Sequence, residues 1–207
     1  MCRQEELSYT GSLDHFLHLA TAGRRVRTTK SSLHGALIGL AHEKPYDSIA
    51  VRHILERAAV GRSTFYTHFR DKDDLLISGI HETMRSIGRR VLRHDNPLER
   101  AVAFSRPFLE HIDAHRLKNG HVIDRESRRV MHGRLEQVLA TLIFEDIEAA
   151  AKRTQSVSRV PTRLIAQHVA STFILVLNWW LNRDSALTPL EVDARFRALV
   201  MPALSAM

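Results

Sequence analysis

The sequence predicts an all-α protein with a helix-turn-helix near its N-terminus, and three observations carry that expectation. Glycine and proline are scarce, at nine and six in 207 residues, and most prolines stand where helices would begin or end. Apolar residues recur at three- and four-residue spacing through most of the chain, and no segment alternates convincingly as a strand would. Residues 48–72 then read as two short helices joined by a tight turn.

Taken in order, residues 1–23 read as a mixed polar arm with a weak apolar cluster at Leu13, Phe16, Leu17 and Leu19. A first helix is expected from about Thr29 to His42, capped by Thr28 or Thr29, with Leu33, Ala36, Leu37, Leu40 and Ala41 on one face. Pro45-Tyr46-Asp47 forces a turn, because the residue before a proline avoids the helical region. A second helix follows over Val51–Ala58, then a tight turn at Val60-Gly61 and a third helix over Arg62–Phe69. Asp71-Lys72-Asp73-Asp74 opens a long fourth helix to about Arg93, its acidic first turn suiting the helix dipole, and Asn96-Pro97 ends it. Five further helices are expected over 98–116, 121–127, 129–154, 162–182 and 189–203, with breaks at Asn119-Gly120, Thr154–Val160 and Asp184–Pro189. No internal repeat or low-complexity segment is seen.

Composition is that of a soluble globular chain, 44% hydrophobic and 26% charged, with a net charge of +7. The charge is unevenly placed. Arg24 to Lys72 holds ten Lys/Arg against four Asp/Glu, while the remainder holds twenty against nineteen. Excess positive charge confined to one quarter of the chain points to a polyanionic partner there. The single cysteine, Cys2, permits no intrachain disulfide and fits a reducing cytoplasm. The run Leu13–Ala22 is interrupted by Asp14, His15 and His18, so no signal peptide is expected. The most apolar run, Phe173–Leu181, is too short to predict a membrane span.

Within the helix-turn-helix, Ile54, Leu55, Ala58, Val60 and Phe65 would hold the two helices together, and Ala58 is small enough for close approach. The outward face is then Arg62, Ser63, Thr64, Tyr66, Thr67 and His68, a hydrogen-bonding row suited to the major groove of double-stranded DNA. Lys72, with the free amides of the fourth helix, can take a phosphate. Each residue also has a plainer use: Phe65 and Phe69 as core, Tyr66 packed sideways on the first helix, His68 as a turn residue.

The run Val60-Gly61-Arg62-Ser63-Thr64-Phe65-Tyr66, with Ile49, Ile54, Ala58, His68-Phe69, Lys72 and Leu75-Leu76, resembles the DNA-binding domain of the TetR family of bacterial regulators over residues 28–76. Asn178-Trp179-Trp180-Leu181 and Thr188-Pro189-Leu190 are similar to the C-terminal end of many members. The resemblance implies nine or ten helices: a DNA-binding unit at 24–72, then a ligand-binding and dimerisation body at 73–207. It implies a transcriptional repressor that releases a palindromic operator when a small-molecule effector binds. Carried onto this chain, DNA contacts fall to Arg62, Ser63, Thr64, Tyr66, His68 and Lys72, with Thr28, Lys30 and Arg52 reaching the backbone. One departure stands out. Many relatives place a threonine at the start of the second helix, where it caps and touches a phosphate; here Ala50 stands, so the cap shifts to Ser48 or the contact is absent.

Near the C-terminus, Ile165, Val169, Leu177, Trp180 and Leu181, with Phe173, form one apolar stripe. Phe196, Leu199 and Val200, with Leu190, form another. Two-fold pairing of these helices would cover both stripes and match a palindromic site; an ordinary intramolecular core accounts for part of them. An effector pocket would draw on Phe104, Phe108, Ile112, Leu139, Ile143, Phe144, Phe173 and Trp179, all equally suited to plain core. His111 and His115 share a helix face with His121 following, but Asp113 points elsewhere, so no metal site and no cofactor are expected. Nothing resembles a phosphate loop, a nucleophile elbow or His-Glu-x-x-His, so no enzyme is expected. The competing reading is a helical interaction protein whose DNA-binding domain has degenerated, for which Ala50 is the slender support.

Overall fold

The computed structural model describes residues 26–91, 96–119, 123–154, 160–182 and 186–205. The expected arm at 1–23 lies outside them. Among the described residues there is no strand. The helices are α1 (26–41), α2 (Val51–Ala58), α3 (Arg62–His68), α4 (Lys72–Val91), α5 (Pro97–Val102), α6 (Ser105–Asn119), α7 (Arg125–Thr154), α8 (Thr162–Leu181) and α9 (Pro189–Ser205). A single 3-10 turn, Tyr46–Ser48, links α1 to α2.

Most differences from expectation have a local cause. α1 is already helical at residue 26, so Thr28 and Thr29 lie inside it rather than capping it. α4 begins at Lys72 because Asp71 is its cap: Asp71 Oδ1 accepts the Asp74 N–H at 2.8 Å. The expected helix 98–116 is two helices, α5 and α6, parted at Ala103-Phe104. Asn96 starts α5, its side chain accepting the Leu98 N–H at 2.9 Å ahead of Pro97. The expected pair 121–127 and 129–154 is instead one thirty-residue helix, α7. Asp124 Oδ1 caps it by accepting the Glu126 and Ser127 amides, each at 3.0 Å, and no breaker stands at Arg128 to interrupt it.

Two apolar cores result. The first joins α1, α2, α3 and the start of α4 through buried Leu33, Leu37, Ile49, Ile54, Phe65 and Leu75. The second fills the body, where α7 packs on α8, α5 and α4, and α9 packs on α8, α6 and α5. Its largest members are Trp180, Phe173 and Phe196, with Phe104, Phe108, Phe173 and Phe196 stacked edge to face at 5.0 to 6.2 Å. α8 is long and apolar enough by composition to cross a membrane, contrary to the estimate from the Phe173–Leu181 run, but half of that stretch is buried inside the fold as its central helix.

The body also buries polar groups, each paired. Asp193, 5% exposed, accepts from Ser105 Oγ and from Arg197 Nε at 2.9 Å, and Arg197 reaches Glu99 at 2.7 Å. His132 Nδ1 lies 2.9 Å from Asn178 Oδ1, tying α7 to α8.

The first turns of α7 join the two cores. Val130 and Met131 pack against the N-terminal core. Ser127 Oγ accepts the buried Tyr46 N–H at 2.6 Å, and Arg134 donates to Asp73 at 2.9 Å. Asp73 also accepts the Tyr46 hydroxyl at 2.6 Å.

Candidate nucleic-acid interface

The helix-turn-helix is built on two fully buried side chains, Ile54 of α2 and Phe65 of α3, each 0% exposed. Leu55, Ala58 and Val60 pack against them, half-buried. The sharp reversal between the helices is not made at Gly61. Ala59 ends α2 in the left-handed region, φ 52 and ψ 44, while Gly61 is extended and starts α3. A left-handed residue closes the helix by returning amides to its last carbonyls, and here the Ala59 and Val60 N–H groups reach Glu56 and Leu55. Alanine adopts that conformation at a steric cost that glycine avoids.

With Phe65 and Phe69 turned inward, the helical period turns the rest of α3 outward. Arg62, Ser63, Thr64 and Thr67 are exposed, and Tyr66 is 49% exposed. The Tyr66 ring meets Phe65 edge-on at 5.2 Å, and the Arg62 guanidinium sits 5.7 Å above it. Thr67 Oγ1 donates to the Ser63 carbonyl at 2.9 Å. His68 is half-buried against Phe69.

The residues named from the sequence for the DNA backbone lie in three settings. Arg52 and Thr28 are exposed, whereas Lys30 is half-buried with its ammonium 5.7 Å from the Phe69 ring. Lys72 is more engaged than expected. Its Nζ donates to the Tyr46 carbonyl at 2.7 Å and sits 4.5 Å from the Tyr46 ring centre, so it also holds the α1–α2 link to the start of α4. Burial draws the neighbouring Asp73 carboxyl upward, but hydrogen bonds from Tyr46 and Arg134, with the Arg134 and Lys72 charges, prevail and hold it below its ordinary value.

At the start of α2, Ala50 is extended and offers no side-chain cap, and Ser48 does not replace it: Ser48 Oγ donates back to the Pro45 carbonyl at 2.6 Å. His53, which the sequence reading passed over, takes the place instead. Its Nδ1 accepts the Ala50 N–H at 3.1 Å and lies 2.8 Å from Lys44 Nζ. An acceptor three residues after the capping position was the available signal, obscured because histidine is not the usual residue there.

Farther along, a cavity of about 280 Å³ opens between α4, α5 and α7. Phe104, Leu139 and Ile143 line it with Met84, Ile87, Ala101 and Leu142, and the wall also takes in His81, Arg100 and exposed Arg85, Glu145 and Asp146. Of the remaining residues named for an effector pocket, Phe108, Ile112, Phe144, Phe173 and Trp179 do not line it; they belong to the body core or pack against it. The residues named for a dimer interface are redistributed in the same way. Ile165, Val169, Leu177, Trp180, Phe196 and Val200 are buried within one chain, Leu181 is half-buried, and Leu199 is exposed. The large apolar residues left on the outside of α8 and α9 are Leu164, Leu175, Leu190 and Leu199, all more than half exposed. No histidine–carboxylate cluster of metal-binding size occurs among the described residues; the His115 side chain and His121 lie outside them.

Comparison with known proteins places both halves. Residues 36–78 match bacterial regulatory proteins of the tetR family, and residues 103–201 match a transcriptional regulator C-terminal region. The fold is similar to a TetR-family transcriptional regulator from Syntrophomonas wolfei, at 20% identity and TM-score 0.60, covering 86% of this chain and 96% of that one. It is also similar to RolR solved with resorcinol, at 20% identity and TM-score 0.53, covering 87% and 89%. FadR of Thermus thermophilus, solved with lauroyl-CoA, is similar at 19% identity and TM-score 0.51, covering 86% and 94%. At such identities these structures attest the fold, while the two matched regions, in this order and around this helix-turn-helix, attest the lineage: the chain belongs to the TetR family of transcriptional regulators.

Proposed function

We propose that this regulator is a repressor that binds a palindromic duplex as a cytoplasmic homodimer and lets go when a small molecule enters its body. Residues 24–72 form the DNA-binding unit and 73–207 the effector and dimerisation body. The observation that carries the reading is the exposed row Arg62, Ser63, Thr64 and Tyr66 on a helix whose opposite side is locked by Phe65. Those four, with His68, reach base edges and nearby phosphates in the major groove, while Lys72, Arg52, Lys30 and Thr28 serve the backbone.

The dimer face follows from what one chain leaves uncovered. Leu164 and Leu175 of α8, with Leu190 and Leu199 of α9, would meet their copies across a two-fold axis. The effector site is the cavity lined by Met84, Ile87, Phe104, Leu139 and Ile143, an apolar chamber with a charged rim. RolR and FadR hold resorcinol and lauroyl-CoA respectively, and the chamber here would admit a comparable apolar group. Coupling runs through α4 and α7, because both line the chamber and both carry a residue of the Tyr46–Asp73–Arg134 network at the other end.

Footprinting on the DNA upstream of the chain's own gene and its neighbours tests the reading. A protected palindrome, with binding that weakens as salt rises, is the expected outcome. Protection of no genomic site would refute it.

A further inference from the structure

The geometry points to His53 as a positioning residue for DNA binding, one that replaces the missing cap of α2 and holds Lys44 against the duplex backbone; the inference rests on the DNA-binding reading above. Both groups that approach His53 Nδ1, the Ala50 amide at 3.1 Å and the Lys44 ammonium at 2.8 Å, are donors. An Nδ1 that accepts carries no hydrogen of its own, so the two donors share its one lone pair and the ring N–H is the one on Nε2. His53 is the third residue of α2, where a glutamate or glutamine ordinarily reaches back to the capping residue's amide. Here that backward half of the capping box stands alone, since Ala50 cannot make the forward half.

The second donor gives the arrangement a purpose beyond capping. An ammonium held at the N-terminal end of a helix meets the positive end of the dipole, which is unfavourable in the free chain. A phosphate passing there reverses the sign. Lys44 on His53, Lys72 on the Tyr46 carbonyl and exposed Arg52 put three cations on or against residues 44–53, where Asp47 is the one acid. Two of the three are fixed by hydrogen bonds rather than free in solvent, so less side-chain freedom is lost when DNA arrives.

The test compares the full chain with its H53A, H53Q, K44A and A50T/H53A variants on the footprinted duplex across a salt series. H53A should weaken binding roughly fivefold, by releasing both the start of α2 and Lys44. H53Q should return to near wild-type affinity, because a glutamine at this position accepts the same two donors. A50T/H53A should recover the capping part alone. K44A should lower the salt-dependence slope by about one counterion, and H53A should lower it too. That is a change in slope a purely structural role would not produce. Proton–nitrogen correlation spectra of the free protein should show His53 protonated on Nε2 only, with the Ala50 amide exchanging faster in H53A. Wild-type affinity and slope in H53A, or H53Q as weak as H53A, would overturn the inference. If the wild-type chain binds no duplex at all, the function reading fails, and the spectra still decide the capping role.

Discussion

The N-terminal unit and the helical body solve the same packing problem with different freedom. α2 and α3 have eight and seven residues, so each turn must serve two masters: Ile54 and Phe65 face the core while their neighbours face outward. The body uses helices of up to thirty residues and fastens them with paired polar groups such as Ser105–Asp193–Arg197 and His132–Asn178. In the short-helix unit nearly every position is constrained from both sides, which writes a recognisable signature. In the body, apolar side chains of similar volume are interchangeable, so the same fold tolerates many sequences.

The largest expected effect separates the two regions directly. Phe65→Ala and Trp180→Ala each empty a fully buried site and should cost about 3–5 kcal/mol. Thermal unfolding followed by circular dichroism should show Phe65→Ala melting the minor, N-terminal share of the helix signal first and abolishing DNA binding. Trp180→Ala should lower the melting of the body.

Acid should loosen the body through His132. Burial, with the Arg128 charge, outweighs the Asn178 hydrogen bond and pulls the imidazole down to about 4. In the unfolded chain the ring protonates near its ordinary value, so stability is intact above about pH 6.5 and falls as the pH drops toward 4, by at most on the order of 3 kcal/mol. Denaturant titrations across that range should show the slope, and His132→Gln should flatten it.

Smaller effects probe the interface itself. Tyr66→Ala should weaken specific binding about tenfold or more by removing a base-proximal contact, whereas Lys72→Ala should weaken binding to all sequences alike and reduce the salt slope. Both should leave the oligomeric state unchanged in sedimentation. The smallest change should be a gain. Ala59→Gly relieves a left-handed alanine, and a melting-point rise equivalent to about 0.5–1 kcal/mol is expected.

Legibility in the sequence followed the same division. The helices of the N-terminal unit, the inward set Ile54, Phe65 and Phe69, and the outward row of α3 could be read because period and motif agreed. What escaped were substitutions by unexpected residue types: Ala59 doing the work of glycine, and His53 that of a cap. In the body, helix existence was legible but the partition was not: the start of α7 depends on a single Asp124 side chain, and the α5–α6 break falls four residues ahead of Pro107, which cannot donate to the Ala103 carbonyl and which the reading of one helix over 98–116 did not weigh. The stripe on α8 and α9 was visible, but periodicity alone cannot say whether another helix of the same chain or a second chain covers it. Six of its eight named residues are covered from within.

The most direct test of the account is the affinity of the full chain for its footprinted duplex and for a scrambled duplex of equal length, each measured by fluorescence anisotropy over a range of salt. At least about a thousandfold preference for the footprinted site is expected at physiological salt, with affinity for both falling steeply as salt rises. Equal affinity for the two sequences, or binding that does not respond to salt, would contradict it.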